Sequence, residues 1–505
     1  MRLQDAVISY AARTPMALAV QGPDDQLTYR ELDRLANRIA RALEARGVRK
    51  NHRVAIWLEK STFTVATMQA VLRLGAAYIP IDPLSPTARV HGLLTDYAVS
   101  ALVTTAGRVT AVLTGSLASV PSLVTGGPGD ACDWPALREC SDADLPDPGS
   151  GAEDLAYILS TSGSMGRPKG VCLSHRNALS FTGWAAAELA VTSEDRLANH
   201  APLHFDLSVF DLYAAFQAGA TVLLIPETWS FAPLKLNDFL IRQRPTIWYS
   251  VPSALLLMIQ DGGLLDLAEP SLRAVLFAGE PFPVAPLRAL RTSWPEARFL
   301  NLYGPTETNV CTFHEVKEMA AGDTTPIPIG RACSGDRVWA RTESGGLAQE
   351  GEEGELMVAG PTVMLGYWGD APQGDEPYST GDIVRVMDDD NFQFMGRRDH
   401  MVKVRGHRVE LGEIEAVLQA HPAASETVVL VSGSGLGARL NAFVVCNLEE
   451  RPSLLQIKQH CATRLPRYMI VDRVWYLSAL PRTGNGKVDR TALALRLNET
   501  TDQET

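Results

Sequence analysis

The chain has 505 residues, a formal net charge of −12 and 46% hydrophobic residues. That length exceeds what one ordinary core supports and predicts two or more domains. The acidic balance argues against a nucleic-acid backbone as the principal partner, so any phosphate site has to be local. No apolar run approaches the roughly 20 residues of a bilayer crossing. Residues 1–13 read as an amphipathic helix and lack the basic start and apolar stretch of a secretory signal. The seven cysteines are an odd number with no C-x-x-C pair, which supports neither a disulfide framework nor a zinc site. A cytoplasmic address without membrane contact is expected.

Helical patterns at 31–45 and 62–74 alternate with strand-like runs at 53–58 and 220–225, which predicts an α/β fold with a largely parallel sheet. The Gly-, Pro- and Asp-rich stretch 126–154 predicts a surface connection. A hairpin tipped by Asp388-Asp-Asp-Asn391 precedes a boundary near Gly396-Arg-Arg-Asp-His400. The expected division is therefore a large core at 1–396, a hinge at 397–399, and a small α+β domain at 400–490 with strands at 426–432 and 440–446. The polar residues 491–505 are expected to lack regular structure.

Three segments could carry chemistry. After an apolar strand, Tyr157-Ile-Leu-Ser-Thr-Ser-Gly-Ser-Met-Gly-Arg-Pro-Lys-Gly170 offers glycines that let backbone amides curl around an anion, with Thr161, Ser162 and Ser164 as added donors. It is not a Walker A loop, because its lysine precedes Gly170 and Val171 rather than a Ser or Thr. A second apolar run ends in Asn301-Leu-Tyr-Gly-Pro-Thr-Glu307, where an aromatic face can stack on a purine and a carboxylate can hold Mg²⁺. The third, Tyr378-Ser-Thr-Gly-Asp382, ends in a carboxylate able to take two ribose hydroxyls. Each taken alone also reads as an ordinary turn.

Together with Leu27-Thr-Tyr-Arg-Glu-Leu32, Gly75-Ala-Ala-Tyr-Ile-Pro-Ile-Asp-Pro83, Gly354-Glu-Leu-Met-Val-Ala-Gly360, Gly396-Arg-Arg-Asp-His-Met-Val-Lys-Val-Arg-Gly406, Leu465-Pro-Arg-Tyr-Met469 and Asn485-Gly-Lys-Val-Asp-Arg490, these segments resemble the adenylate-forming superfamily. The likeness is strongest to the amino-acid adenylation domains of nonribosomal peptide assembly lines. The resemblance implies that Thr161, Ser162, Gly163, Ser164, Gly166 and Lys169 embrace the β,γ-phosphates of ATP. It places Asn301, Tyr303 and Gly304 at the adenine, Thr306 at the α-phosphate, Glu307 on Mg²⁺, and Asp382 with Arg397 at the ribose. It gives Lys487 the attacking carboxylate and the α-phosphate, where an ammonium stabilises charge that builds in the transition state. It further implies a mobile C-terminal domain that pivots at Asp399 and then presents Lys403, Arg405 and Gly406 to a phosphopantetheine thiol. Met165 and Ser160 depart from the family's usual Thr and Tyr, and Ile470 and Val471 follow Met469 where a proline is usual.

His204-Phe-Asp-Leu-Ser208 matches the segment in which amino-acid-activating members place the carboxylate for the substrate ammonium, here Asp206. Between Phe205 and Leu207 that carboxylate is expected to be buried and to need a cationic partner. The other pocket positions implied are Leu207, Phe210, Tyr249, Leu276, Ala278, Leu302, Val310 and Cys311, an apolar lining suited to a small amino acid. The set resembles that of stand-alone prolyl-adenylating ligases of pyrrole-forming antibiotic pathways. Physics leaves alanine, valine and β-amino acids open beside proline, since a methylene discriminates by only about 10 to 200-fold. Asp206 speaks against a coenzyme A ligase, and the retention of Lys487, Glu307 and Asp382 speaks against a non-catalytic adenylate binder. No carrier segment follows Arg490, so a separate carrier protein acting in trans is expected.

Overall fold

The computed structural model describes residues 1–125, 134–163, 168–267, 271–317, 319–320, 322–398, 401–433, 435–446, 451–482 and 488–501. They form two compact units, the first made of Met1–Pro83, Leu94–Ser160 and Gly170–Arg398, the second of Leu84–Leu93, Thr161–Lys169 and Asp399–Thr505.

The first unit is built on a nine-stranded and a seven-stranded sheet. In the larger one, six neighbouring strands run parallel in the order Arg298–Tyr303, Ala274–Ala278, Ile247–Ser250, Arg196–Asn199, Thr221–Leu224 and Leu18–Gln21. Strands such as Ala274–Ala278 are buried at every position, as parallel strands covered on both faces must be. Helix Leu207–Ala218 is likewise buried from Ser208 to Phe216, and so carries an apolar surface nearly all round. It stops at Gly219, whose φ of +72° makes a left-handed cap and where an added Cβ would lie 2.4 Å from the Tyr10 ring. Helix Tyr29–Ala45 begins in a capping box, with Thr28 and Glu31 satisfying each other's backbone amides.

One expectation needs correction, and two features add to what the sequence indicated. The first unit also holds a wholly antiparallel sheet, ordered Arg337–Arg341, Glu353–Ala359, Tyr378–Val386 and Phe392–Arg397. Within 126–154, a helix Trp134–Glu139 forms because Leu137 finds a buried site. Within the segment 491–505, expected to lack regular structure, residues 491–501 continue the helix Arg490–Thr501: Leu493 and Leu497, one turn apart, bury against Val428, Phe443 and Leu480.

In the second unit, strand Arg439–Cys446 pairs antiparallel with Ala424–Ser432 and parallel with Arg473–Leu477. Helices Leu411–Gln419 and Leu454–Ala462 share its core through Leu411, Ile414, Leu418, Ile457 and Cys461. The stretch 161–169, expected in the large core, groups here instead. The Ser162 hydroxyl donates to the Arg408 carbonyl and accepts from the Glu410 amide, each at 3.1 Å, and Arg89 pairs with the buried Glu413 at 2.5 Å. Among the described residues no helix is long and apolar enough to cross a membrane.

Candidate active site

In the first unit the site grows from the carboxyl ends of adjacent parallel strands, where ligand crevices of open α/β sheets lie. Register places Tyr249 beside Leu276 and Ala278 beside Leu302. After Tyr303 the chain turns back sharply, the Cys311 amide donating to the Tyr303 carbonyl at 2.9 Å. A Cβ at Gly304 would come within 1.8 Å of the Asn309 carbonyl oxygen, so only glycine fits that turn. Phe210, on the neighbouring helix, meets the Tyr249 ring edge-on at 5.7 Å and 88°. Phe210, Tyr249, Leu276, Ala278, Leu302, Val310 and Cys311 are all buried, whereas Phe205 and Leu207 are half-buried. The Tyr249 phenol is held far above its ordinary pKa, first by burial and then by the negative charges of Asp206 and Asp211, so it stays neutral.

Asp206 stands at the N-terminal boundary of helix Leu207–Ala218 without a side-chain capping bond, at the end of the helix dipole that favours a carboxylate. It is half-buried rather than buried as expected. The Thr306 hydroxyl donates to Asp206 Oδ2 at 2.6 Å.

A second group surrounds Asp382, which is 5% exposed. Cross-strand pairing sets Arg397 opposite it, and the guanidinium meets Asp382 Oδ1 at 2.6 Å. The Tyr303 hydroxyl donates to Asp382 Oδ2, and burial followed by that negative charge drives the phenol's pKa well up. Asn301 donates to the Pro328 carbonyl at 2.7 Å. Glu307 is fully buried and accepts from the Tyr367 hydroxyl at 2.7 Å, while its carbonyl accepts from the Met364 amide at 2.8 Å. The sequence reading missed Tyr367, since a tyrosine 60 residues from Glu307 carries no local signal. Among the described residues no group of three or more His, Cys, Asp or Glu side chains could cage a metal. A single hard carboxylate such as Glu307 still fits Mg²⁺, which keeps its waters and binds with substrate phosphates.

In the second unit, Ser162 and Gly163 are buried, Lys169 is exposed, and Thr161 Oγ1 lies 3.5 Å from the Lys169 carbonyl. Lys403 is exposed. Arg405 and Gly406, with φ of 51° and 83°, close the hairpin of Met401–Val404 and His407–Glu410 as a two-residue turn. The Arg405 guanidinium is bound to the Ala438 carbonyl at 3.0 Å and to Asp472 at 3.2 Å. Ser164, Gly166, Asp399 and Lys487 lie outside the described residues, as does Met165.

An α/β core with an acidic helix cap over an apolar lining, a carboxylate joined to a phenol and a guanidinium, and a separate α+β unit together define an adenylate-forming enzyme. The chain belongs to the AMP-binding enzyme family, whose profile matches residues 8–368, with the AMP-binding enzyme C-terminal domain matching 413–487. Over 492 residues it is 48% identical to an L-proline--[L-prolyl-carrier protein] ligase of Pseudomonas fluorescens, covering 97% of this chain and 98% of that protein. It is 40% identical to an enzyme of the same name from Streptomyces coelicolor, over 93% of this chain and 92% of the other. Its fold is similar to that of the Vibrio cholerae adenylation domain AlmE solved with glycyl-adenosine-5'-phosphate, with a TM-score of 0.81, 25% identity and 98% coverage of both chains.

Proposed function

We propose that this chain activates L-proline with ATP as prolyl-AMP, releasing pyrophosphate, and then transfers the prolyl group to the phosphopantetheine thiol of a separate carrier protein in the cytoplasm. The observation that carries the reading is Asp206 at the head of helix Leu207–Ala218, with Phe210 one turn along the helix and packed on Tyr249. A substrate ammonium brings a full positive charge to the carboxylate that holds the Thr306 hydroxyl, and the lining, in which Tyr249 is the one appreciably polar residue, offers no countercharge to a side chain. The relatives named as L-proline ligases, matched over nearly their full lengths, support proline as the amino acid and a carrier protein as acceptor.

The chain's residues perform the first half-reaction by positioning and electrostatics, with no side-chain nucleophile. The substrate carboxylate attacks the α-phosphorus, the bond from that phosphorus to the α,β-bridging oxygen breaks, and pyrophosphate leaves. Asp206 orients the amine, Asp382 and Arg397 the ribose, Asn301, Tyr303 and Gly304 the adenine, and Thr161 to Lys169 the outgoing phosphates. The family resemblance assigns Thr306 and Lys487 to the α-phosphate, and Lys403, Arg405 and Gly406 to the thioester step after a pivot at Asp399. Glu307 would hold Mg²⁺, which when bound neutralises charge on the phosphates. The test is amino-acid-dependent ATP–pyrophosphate exchange across a panel: L-proline is expected to exceed alanine, valine and pipecolate. A higher rate with another amino acid, a β-amino acid or benzoate at equal concentration would overturn the prolyl assignment.

A further inference from the structure

Lys60 has no part in the chemistry above, yet this lysine is nearly fully buried, at 8% exposure. It follows strand Arg53–Trp57, and its ammonium donates to three successive backbone carbonyls, those of Asn199 at 2.9 Å, His200 at 3.2 Å and Ala201 at 2.8 Å. Three carbonyls converging on one buried point need three donors, and an ammonium is the compact side-chain group that supplies them together.

Those carbonyls mark where strand Arg196–Asn199 leaves the sheet and starts the loop that ends at Asp206. Further bonds knit the loop downstream: the Phe205 amide donates to the Pro202 carbonyl at 3.0 Å, and the Ser208 hydroxyl approaches the Leu203 carbonyl at 3.3 Å. Asn199 also donates through Nδ2 to Asp211 Oδ2 at 3.0 Å, and Asp211 is buried on the helix that Asp206 precedes. Lys60 is thus tied to the helix start by two routes, the loop backbone and the Asn199–Asp211 link. Burial lowers the ammonium's pKa, and the nearby carboxyl groups of Glu227 and Asp211 oppose that fall.

We propose that Lys60 is a positioning residue for substrate amine recognition, clamping the Asn199–Ala201 carbonyls so that the Asp206 carboxylate is held where the ammonium of proline docks. The proposal rests on the reading of Asp206 as the partner of that ammonium. Lys60 never touches substrate, and its effect reaches the amine alone.

The experiment compares the full-length enzyme with its Lys60→Met variant by two quantities, the KM for proline and the inhibition constant of cyclopentanecarboxylate, an amine-free ring of similar shape. Loss of positioning raises the proline KM about tenfold or more, the order a small displacement of a binding group produces. The inhibition constant of the analogue and the KM for ATP stay within about twofold. Equal weakening of proline and analogue would overturn the proposal, because a merely structural lysine loosens the whole pocket. An unchanged proline KM would overturn it as well. Asp206→Ala is measured alongside: if it spares the preference for proline over the analogue, the amine assignment itself fails. If Asp206→Ala abolishes that preference and Lys60→Met keeps it, only the role of Lys60 fails. Should Lys60→Met not fold, Asn199→Ala takes its place; it retains the ammonium but cuts the link to Asp211, and the same selective rise is expected.

Discussion

Replacing Arg397 by methionine tests the group around Asp382. The substitution keeps most of the side chain's apolar volume and removes the guanidinium that lies 2.6 Å from Asp382 Oδ1. The side chains of Arg397 and Asp382 are 12% and 7% exposed, so the carboxylate left behind is largely screened from water. Stripping one partner from a fully buried pair typically costs about 3–5 kcal/mol. Here Asp382 keeps the Tyr303 hydroxyl as a donor, and the pair retains slight access to water, which places the expected loss at about 2–3 kcal/mol. A loss of that size at the ribose contact lowers kcat/KM for ATP roughly 30- to 150-fold, at a factor of ten per 1.4 kcal/mol. Pyrophosphate exchange at varied ATP and saturating proline measures it, and exchange at varied proline is the control, expected to move by less than about threefold. In Asp382→Asn with Arg397→Met, no lone charge remains buried, so the double variant should lose less than the two single losses added together. An unchanged ATP parameter in Arg397→Met, or equal losses for ATP and proline, would refute the ribose assignment.

Lys487→Ala is expected to abolish prolyl-AMP formation while leaving carrier loading from supplied prolyl-AMP nearly intact; loss of both half-reactions in a folded protein sinks the single-step role. Gly406→Asn is expected to slow carrier loading at least about tenfold with exchange unaffected, because asparagine tolerates the positive φ of 83° but fills space beside the thiol's approach. If Gly406→Asn loads normally and only Gly406→Leu fails, the glycine serves the hairpin turn and not the thiol.

The glycine and hydroxyl segments were legible in the sequence because their chemistry is contiguous. Tyr303, Gly304, Thr306 and Glu307 stand within five positions, and the close approach of the Asn309 carbonyl supplies a backbone reason for the glycine. The parallel sheet was legible from its apolar runs. The antiparallel sheet was less so: Tyr378–Val386 alternates half-buried with buried residues over only part of its length. The last helix was missed because its segment is short and ends in polar residues, and only the surface of the neighbouring sheet gives Leu493 and Leu497 a place to bury. Contacts between distant residues left no trace at all. Thr306 to Asp206 spans 100 residues, Tyr303 to Asp382 spans 79, and Lys60 to Asn199 spans 139.

Those distant contacts change the reading of the two carboxylates. Each has a protein hydroxyl on one oxygen, Thr306 at Asp206 and Tyr303 at Asp382, so a ligand that brings its own donors competes with a bond already made. A neutral hydrogen bond contributes a net of about 0.5–1.5 kcal/mol and one to a charged group about 1.5–3. At Asp382 a ribose hydroxyl replaces a phenol, like for like, and Arg397 already neutralises the carboxylate. That exchange brings no new charge, so the ribose site depends on Arg397 keeping the carboxylate in place rather than on added electrostatic attraction. At Asp206 a full ammonium charge replaces or joins a threonine hydroxyl, and the ion pair forms where the helix dipole already favours the carboxylate. The proposed amine site therefore gains far more on substrate binding than the ribose site does. Selectivity for an amino acid over an amine-free acid is accordingly concentrated at Asp206 and at whatever holds it in place.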